Sequence, residues 1–570
     1  MRNLSILLIL LLSCCTTVQK KDLEPNQLNA VPSETLNWYQ DARFGMFIHW
    51  GLYSVTGKQE WFRYGRKVPD EEYRALANQF NPTEFNADTW VQAAKSSGMK
   101  WITITTKHHD GFAIYSSPAD SFDIDATPFG KAGRDPLDEL VEACRRHDMK
   151  FGFYYSHYQD WDHPQGGVVN LSYEEKINLP FKKYMDEKAL PQMRELLTKY
   201  SDVSVIWFDT PLHISDEEAH EFRALVKELA PGALIGGRLD DATGDFWSMP
   251  DNRVPQNPFN EPWETCMTSN GGWGWRIPMQ ETRPAKEMIQ ELSTIVSRGG
   301  NFLLNTGPSP TGKMNENDLA AFAQVGAWLT INGEAIYGTS ENPFYGSPYI
   351  CTTKDNKLFV HLFDWTKDSL NINRLQSEVK KVWLLADPTK TLLDFEEKKD
   401  CLTVVLPKNL PDSINSIVVI ETQGKPEVKN FLPTEDDKGV ITISSKEMNI
   451  IDNRFSSFTE HDSILKVYDT RRAWVNGSFE VASPGTFELF AHQTKSDTVQ
   501  NTSYWIKIND NKLTVPVVDS LEKDKFIKQS IGKIKFDKAG IYNYTIRPTD
   551  WYWKTKQVFV KIKTLELIKD

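Results

Sequence analysis

Apolar runs and amphipathic segments alternate along the chain from about residue 35 to residue 340. The apolar runs have the length and composition of strands that are buried on both faces, which is typical of parallel sheets covered by helices. Between them lie segments with helical spacing of apolar residues, such as residues 86–95 and 136–146. The predicted strands are Phe44–Trp50, Trp101–Thr106, Lys150–Ser156, Val203–Asp209, Leu234–Arg238 and Asn301–Asn305.

This alternation predicts parallel βα units. Six such strands within residues 30–340 favour a (β/α)8-like barrel, with one or two units that the pattern does not place, or an irregular barrel. An open doubly wound sheet is the alternative. However, no glycine-rich phosphate-binding fingerprint follows an early strand, as a nucleotide-binding sheet would normally show.

After Tyr345 the pattern changes to short alternating segments without helices. The alternation over residues 345–425 predicts a β-sandwich, and a similar pattern over residues 430–570 predicts a second one. The fold class is therefore α/β: a (β/α)8-like catalytic barrel followed by two β-sandwich domains. The terminal sandwich is either a carbohydrate-binding module or a structural appendage.

The first 20 residues read as an export signal. Arg2 gives a positive start, and the apolar run Leu4–Leu12 is too short to span a bilayer. Residues 12–15, Leu-Ser-Cys-Cys, resemble a bacterial lipobox with Cys14 or Cys15 as the lipidated residue. We expect an exported protein, periplasmic or anchored as an outer-membrane lipoprotein in a Gram-negative-type bacterium. A leader cleaved by an ordinary signal peptidase is the alternative.

The net charge and the cysteine content narrow the classes of partner and cofactor that we expect. The net charge of −12 disfavours nucleic acid. Beyond the leader, four scattered cysteines, Cys144, Cys266, Cys351 and Cys401, make neither a disulfide framework nor a zinc-site spacing. We expect no cofactor, and membrane contact only through the N-terminal lipid. The 18 tryptophans and 19 tyrosines include rings that can stack on sugars. The sequence does not indicate the oligomeric state.

Candidate chemistry lies at the carboxyl ends of the predicted strands, where barrel enzymes hold their active sites. Asp209 ends the run VIWFD, although an acid there also suits a turn cap. Polar and aromatic residues accompany it at other strand ends: His49, His108, His109, Tyr154, Tyr155, Trp207 and Arg238. We interpret the histidines as hydrogen-bonding groups of a pocket. Metal ligation is the rival use, because adjacent His108 and His109 face one site only at a bent strand terminus.

A second carboxylate, Glu264, follows in the segment PWETCM, which we read as part of a loop with Gly271, Gly272 and Gly274. Glycoside hydrolysis needs two acids in contrasting environments, one ionised and one with a raised pKa. The many carboxylates of the chain make such a pair a weak signal by itself.

The neighbouring motifs make that signal stronger. In chain order they are FGMFIHWGLYS, EWF, TTKHHDGF, FYYS, VIWFD, PWETC and GGNFLLNTGP. Together they resemble the α-L-fucosidases of glycoside hydrolase family 29 over residues 35–340. The first sandwich also resembles that family's C-terminal domain, whereas the last 140 residues or so lie outside the common family core.

The resemblance implies a retaining exo-glycosidase that releases terminal α-L-fucose from fucosylated oligosaccharides or glycoconjugates. It implies Asp209 as the nucleophile and Glu264 as the acid/base. Pro262 stands where family motifs often have lysine, and Glu261 and Glu60 compete for the acid role. The implied fucose-binding residues are His49, Glu60, Trp61, His108, His109, Tyr154, Trp207 and Arg238, with Tyr155 in place of Tyr154 if the register is shifted by one.

Two other functions stay open at this point. One is a related exo-glycosidase that acts on a fucose-like sugar. The other is a non-catalytic glycan-binding protein of an uptake system, for which the leader and the sandwiches speak.

Overall fold

A computed structural model gives the fold of the chain. It describes residues 32–570 apart from 169–174, 176–177, 212–213, 241–243, 256, 260, 279–280, 366–367, 399–400, 409–411, 451–455, 460–463, 469–473, 496–502, 510, 518–524 and 550–557. The predicted export signal and lipobox lie outside the described residues.

Eight parallel strands form one curled sheet, which confirms the predicted barrel-type α/β fold. Their order is β5-β4-β3-β2-β1-β8-β7-β6, and the parallel bridge between Gly236 and Phe246 joins the two end strands. The strands are β1 Phe44–Ile48, β2 Trp101–Lys107, β3 Lys150–Tyr155, β4 Val205–Phe208, β5 Leu234–Ile235, β6 Trp247–Ser248, β7 Trp263–Thr268 and β8 Asn301–Thr306.

One segment differs from its prediction. Trp263–Thr268, which we read as loop, is a fully buried strand that pairs with β8. Its polar residues, glutamate and threonine, hid it, because a barrel can enclose hydrogen-bonded polar side chains that an apolar-run criterion rejects. The glycine-containing loop starts only after Thr268.

Helices lie between the strands, and local capping sets several of their starts. The Asn86 side chain accepts a hydrogen bond from the amide of Thr89, and Asp135 caps the helix that begins at Pro136. The α-helices are Ser33–Ala42, Tyr53–Thr56, Phe62–Arg66, Asp70–Arg74, Ala87–Ser96, Pro128–Lys131, Pro136–Arg146, Phe181–Tyr184, Leu190–Lys199, Asp216–Leu229, Ala285–Ser297 and Glu316–Asn332. Short 3-10 turns are Ala75–Gln79, Ile124–Ala126, Gly333–Ala335 and Ser445–Glu447, and Met185–Ala189 is a π-helical turn.

Antiparallel sheets follow, as predicted. The first pair has the orders β12-β15-β10-β9 and β11-β14-β13, and encloses its own apolar core. Its strands are β9 Cys351–Lys354, β10 Lys357–Leu362, β11 Ser369–Asn373, β12 Val379–Leu384, β13 Phe395–Lys398, β14 Cys401–Val405 and β15 Ser416–Thr422.

The second pair has the orders β18-β19-β26-β21-β24, with β16 on β26, and β17-β20-β25-β22-β23. It encloses a further apolar core. Its strands are β16 Val440–Ser444, β17 Asn449–Ile450, β18 Ser456–Thr459, β19 Ile464–Tyr468, β20 Val475–Val481, β21 Gly485–Lys495, β22 Ser503–Ile508, β23 Asn511–Pro516, β24 Ile527–Phe536, β25 Gly540–Pro548 and β26 Val558–Lys569. The domain boundaries given from the sequence stay predictions.

Candidate active site

Asp209 follows β4 at the carboxyl edge of the sheet, and three side chains converge on it. Arg238 Nη1 lies 3.0 Å from Oδ1, while the Tyr154 hydroxyl donates to Oδ2 over 3.0 Å. His109 Nε2 lies 3.4 Å from Oδ2. Burial alone raises the pKa of Asp209, but the hydrogen bond from His109 and the charge of Arg238 outweigh it and hold that pKa well below its usual range. Asp209 is therefore an ionised carboxylate at neutral pH, with a side chain that is 13% exposed.

The three predicted histidines lie together. His49 Nδ1 is 2.7 Å from Asn305 Oδ1, and the rings of His49 and His108 are 5.6 Å apart. The His108 and His109 rings are only 4.2 Å apart, because both residues follow the end of β2 at Lys107. Burial lowers the pKa of all three imidazoles, to about 4 for His49. They are neutral at pH 7 and offer hydrogen-bonding nitrogens.

The aromatic rings of Tyr154 and Trp207 pack beside the histidines and Asp209. Tyr154 and Trp207 are stacked with their centroids 5.5 Å apart, and the Arg238 guanidinium lies 4.7 Å from the Trp207 ring. Of the two tyrosines left open by the sequence, Tyr154 is the one that touches Asp209. Tyr155 donates to Gln192 Oε1 over 2.9 Å and belongs to the apolar layer under the helices.

Glu264 is the second residue of β7 and is 0% exposed. The indole Nε1 of Trp207 donates to Oε1 over 2.8 Å, and the Tyr39 hydroxyl donates to Oε2 over 2.7 Å. Burial raises the pKa of Glu264 to about 7. Cys266 lies on the same face of β7 as Glu264, two residues nearer the carboxyl end. Its Sγ, and not a Glu264 oxygen, lies near Arg238, at 3.7 Å from Nη2. Glu264 thus lies deeper in the barrel than Arg238, and its acid/base role stays a prediction.

Asp251 is a carboxylate that the sequence reasoning missed. Its Oδ1 lies 2.6 Å from Arg238 Nη2, so one guanidinium binds both Asp209 and Asp251. Its side chain is 44% exposed, in contrast to Glu264. The signal that could have found it is its position just beyond a strand end, but β6 has two residues and was not placed.

Glu60 and Trp61 contact the site through Gly274 and His109. Glu60 is buried, and its Oε2 accepts the amide of Gly274 over 2.9 Å. Burial raises the pKa of Glu60. The Trp61 ring is 5.2 Å from His109 and 5.1 Å from Trp161, a further aromatic residue that the sequence reasoning did not single out.

The remaining acid candidate, Glu261, accepts a hydrogen bond from Trp247 Nε1 over 2.5 Å. Within the described part of the chain, no group of three or more histidine, cysteine, aspartate or glutamate side chains is arranged to hold a metal ion. No helix among the described residues is long and apolar enough to cross a membrane.

Comparisons with known proteins agree on one family. The sequence profile of the alpha-L-fucosidase family matches residues 10–334. The alpha-L-fucosidase of Dictyostelium discoideum is 27% identical over 409 residues, which are 65% of this chain and 87% of that protein. The crystal structure of the alpha-L-fucosidase from Vibrio sp. strain EJY3 is 27% identical with a TM-score of 0.65, over 95% of this chain and 99% of that one.

A second similar structure carries chemical information. It is a family 29 alpha-L-fucosidase from Bacteroides thetaiotaomicron, in which a mutant was trapped as a covalent intermediate with 2-fluoro-fucosyl fluoride. It is 28% identical with a TM-score of 0.63, over 69% of this chain and 97% of that one.

Proposed function

The chain belongs to the alpha-L-fucosidase family, glycoside hydrolase family 29, and we propose that it releases terminal α-L-fucose from fucosylated glycans with retention of configuration. The observation that carries the proposal is the environment of Asp209. It is an ionised carboxylate at the carboxyl edge of a parallel barrel sheet, held by Arg238, His109 and Tyr154.

In the first step, an Asp209 carboxylate oxygen attacks the anomeric carbon of the fucoside. The bond to the leaving oxygen breaks, and a carboxylic acid donates its proton to that oxygen. The product is a fucosyl ester on Asp209. In the second step, the same carboxylate takes a proton from water, whose oxygen attacks the anomeric carbon and displaces Asp209. Two inversions leave the fucose with its original configuration.

Of the candidate acids, Glu264 binds Trp207 and Asp251 binds Arg238, and these two are compared for the acid/base role. Glu264 has a pKa near 7, which suits an acid at neutral pH, but both of its oxygens accept hydrogen bonds within the closed barrel. Asp251 opens to solvent and shares Arg238 with Asp209. Because a catalytic acid must first lie within reach of its proton acceptor, the geometry favours Asp251 and leaves Glu264 to orient the Trp207 indole.

The other pocket groups suit a sugar. The neutral imidazole of His49 donates through Nδ1 to Asn305, so its Nε2 can accept a hydrogen bond from a ring hydroxyl, and the imidazole of His108 can donate or accept one. The rings of Trp61 and Trp207 offer apolar surface for the 6-methyl group and for the apolar face of fucose.

The test is hydrolysis of an aryl α-L-fucoside beside matched aryl glycosides of other sugars. We expect activity on the fucoside that is lost in Asp209→Ala. Asp202→Ala is the matched control, because Asp202 precedes the same strand at the opposite edge of the sheet and pairs with Arg145 on the surface. If Asp209→Ala turned over the fucoside at nearly the wild-type rate, the assignment of Asp209 as the nucleophile would be wrong. Activity on another sugar would favour the fucose-like alternative, and binding without turnover would favour the glycan-binding alternative.

We further propose that the protein is exported and carries a lipid on Cys14 or Cys15, which residues 1–15 support. Metabolic labelling with a palmitate analogue should label the wild type and not the double variant Cys14→Ser, Cys15→Ser. A soluble, unlabelled and shortened wild-type protein would instead indicate ordinary signal-peptidase cleavage.

A further inference from the structure

One outer face of the second sandwich packs against the barrel through three tryptophans. The ring of Trp247 in β6 lies 5.4 Å from that of Trp474 and 6.4 Å from that of Trp505, centroid to centroid. All three are buried, and Trp474 and Trp505 belong to the apolar core of the barrel rather than to that of the sandwich. We call Trp247, Trp474 and Trp505 the tryptophan clamp.

Strand alternation explains why Trp505 points at the barrel. Tyr504 and Ile506 in β22 contribute to the sandwich core, so the intervening Trp505 and the following Lys507 project from the opposite face. Lys507 Nζ lies 5.0 Å from the Trp247 ring and lines the same small cavity as Gly237.

The guanidinium of Arg547 packs against the other two rings of the clamp, Trp474 and Trp505. Arg547 of β25 is the register partner of Trp505, and its guanidinium lies 4.9 Å from the Trp474 ring and 5.9 Å from the Trp505 ring. The indoles are therefore in contact with one another and with a cation, and are not free to stack on a sugar.

The clamp lies against β6, which with β5 is one of the two shortest strands of the barrel sheet. β6 has only two residues and pairs with β7 through Trp247 and Ser248. On its other side, the isolated bridge between Gly236 and Phe246 connects it to β5. The amides of Trp247 and Met249 donate to the carbonyls of Pro262 and Glu264, and the packing of Trp247 against the sandwich adds a side-chain contact that holds the same strand.

β6 leads directly into the catalytic groups. Two residues after Trp247, the carbonyl of Met249 accepts a hydrogen bond from Arg238 Nη2 over 2.9 Å. Asp251 follows and binds the same nitrogen, while the other terminal nitrogen of Arg238 binds Asp209. A displacement of β6 would move the acceptors that aim the guanidinium.

From these contacts we propose that the C-terminal sandwich is a structural part of the catalytic site, and that the tryptophan clamp positions Arg238 and Asp251 through β6. This inference rests on the proposed function, because it assigns the clamp to the same Asp209 site. Trp247, Trp474 and Trp505 are positioning residues, since none of them touches the reacting atoms.

The test uses the full-length protein and an aryl α-L-fucoside. In Trp505→Ala we expect kcat to fall about 10- to 100-fold, as a misplacement near 1 Å can cause. We also expect the acidic limb of the kcat/KM profile to move to higher pH, because a displaced Arg238 no longer lowers the pKa of Asp209. Trp505→Phe should restore most of both. If Trp505→Ala does not fold, Trp505→Leu replaces it, since it keeps apolar volume without the flat ring.

Tyr542→Ala is the matched control. Tyr542 packs on Phe479 and Phe536 within the sandwich and does not belong to the clamp. We expect it to lower the unfolding temperature while leaving kcat and the pH profile unchanged. The inference is overturned if folded Trp505→Ala keeps the wild-type kcat and pH profile, or if Tyr542→Ala reproduces the Trp505→Ala loss. A wild type inactive on every fucoside would instead overturn the proposed function, and this inference with it.

Discussion

Arg238 Nη1 lies 3.0 Å from Asp209 Oδ1, and the guanidinium lies between this carboxylate, Asp251 and the Trp207 ring. The pair places a fixed positive charge beside the carboxylate that we propose as the nucleophile. A carboxylate must be ionised to attack, so this contact and the hydrogen bond from His109 set how far the pH can fall before activity is lost.

Removal of that charge should therefore change the pH profile. Asp209 has a lowered pKa in the folded protein, so its ionised form, and the activity, are lost as the pH falls through that lowered value. In Arg238→Met the pKa of Asp209 rises, and the acidic limb of kcat/KM should move to higher pH. The kinetic profile from pH 4 to pH 8 measures this, with Arg145→Met as a control, because Arg145 pairs with Asp202 on the surface. An unmoved limb would show that Arg238 does not set the ionisation of Asp209.

Substitutions of the two candidate acids, Asp251 and Glu264, should differ in how strongly their effect on kcat/KM depends on the leaving group of the substrate. If Asp251 is the acid, Asp251→Asn should lose about 10² to 10⁴ in kcat/KM on natural fucosylated glycans, and far less on aryl fucosides whose leaving groups need no proton. Glu264→Gln should then lose similar factors on both substrates, because it acts through Trp207. The reverse pattern would assign the acid/base role to Glu264, as the family resemblance implies.

Glu264 should also leave a signature in stability. Its folded-state pKa of about 7 lies above the ordinary 4.5, so the folded state binds the proton more tightly. The stabilisation from that proton is fully present below about pH 4.5 and is lost as the pH rises through 7, by an amount of a few kcal/mol. The difference in unfolding free energy between wild type and Glu264→Gln, measured in urea at pH 5 and pH 8, should shift against the wild type at pH 8. A pH-independent difference would contradict the raised pKa.

A buried ion cluster of Asp160, Lys107 and Lys188 should stabilise the part of the barrel next to His109. Asp160 binds Lys107 Nζ at 2.9 Å and Lys188 Nζ at 3.0 Å, and all three side chains are almost inaccessible. Asp160→Asn leaves the buried ammonium of Lys107 without a carboxylate and that of Lys188 with Asp120 alone, so we expect a loss of about 3–5 kcal/mol in unfolding free energy. Asp202→Asn, which disrupts a half-exposed pair with Arg145, should cost about 1 kcal/mol or less. Urea denaturation measures both, and equal losses would contradict the role of burial.

Much of the barrel could be predicted because most of its strands are apolar on both faces. Phe44–Ile48 and Trp101–Lys107 differ from their predicted ranges by two residues or fewer. The two-residue β6 gives no periodicity, and β7 carries Glu264 in its interior, so neither could be found from apolar runs. These two strands account for the missing units.

The same limit applies to the site. His49, His108, His109, Tyr154, Trp207, Asp209 and Arg238 follow or end recognisable strands, and the structure brings them together. Asp251 follows the strand that could not be placed. Its relation to Asp209 includes the shared Arg238, a contact across three segments that local sequence does not encode.

The most direct test of the central claim is to trap the fucosyl-enzyme. The wild type is incubated with 2-fluoro-fucosyl fluoride, digested, and examined by mass spectrometry. We predict one fluorofucosyl group per chain, on the peptide that contains Asp209, and none in Asp209→Ala. A label on another carboxylate, or steady turnover without any label, would contradict Asp209 as the nucleophile of a retaining fucosidase.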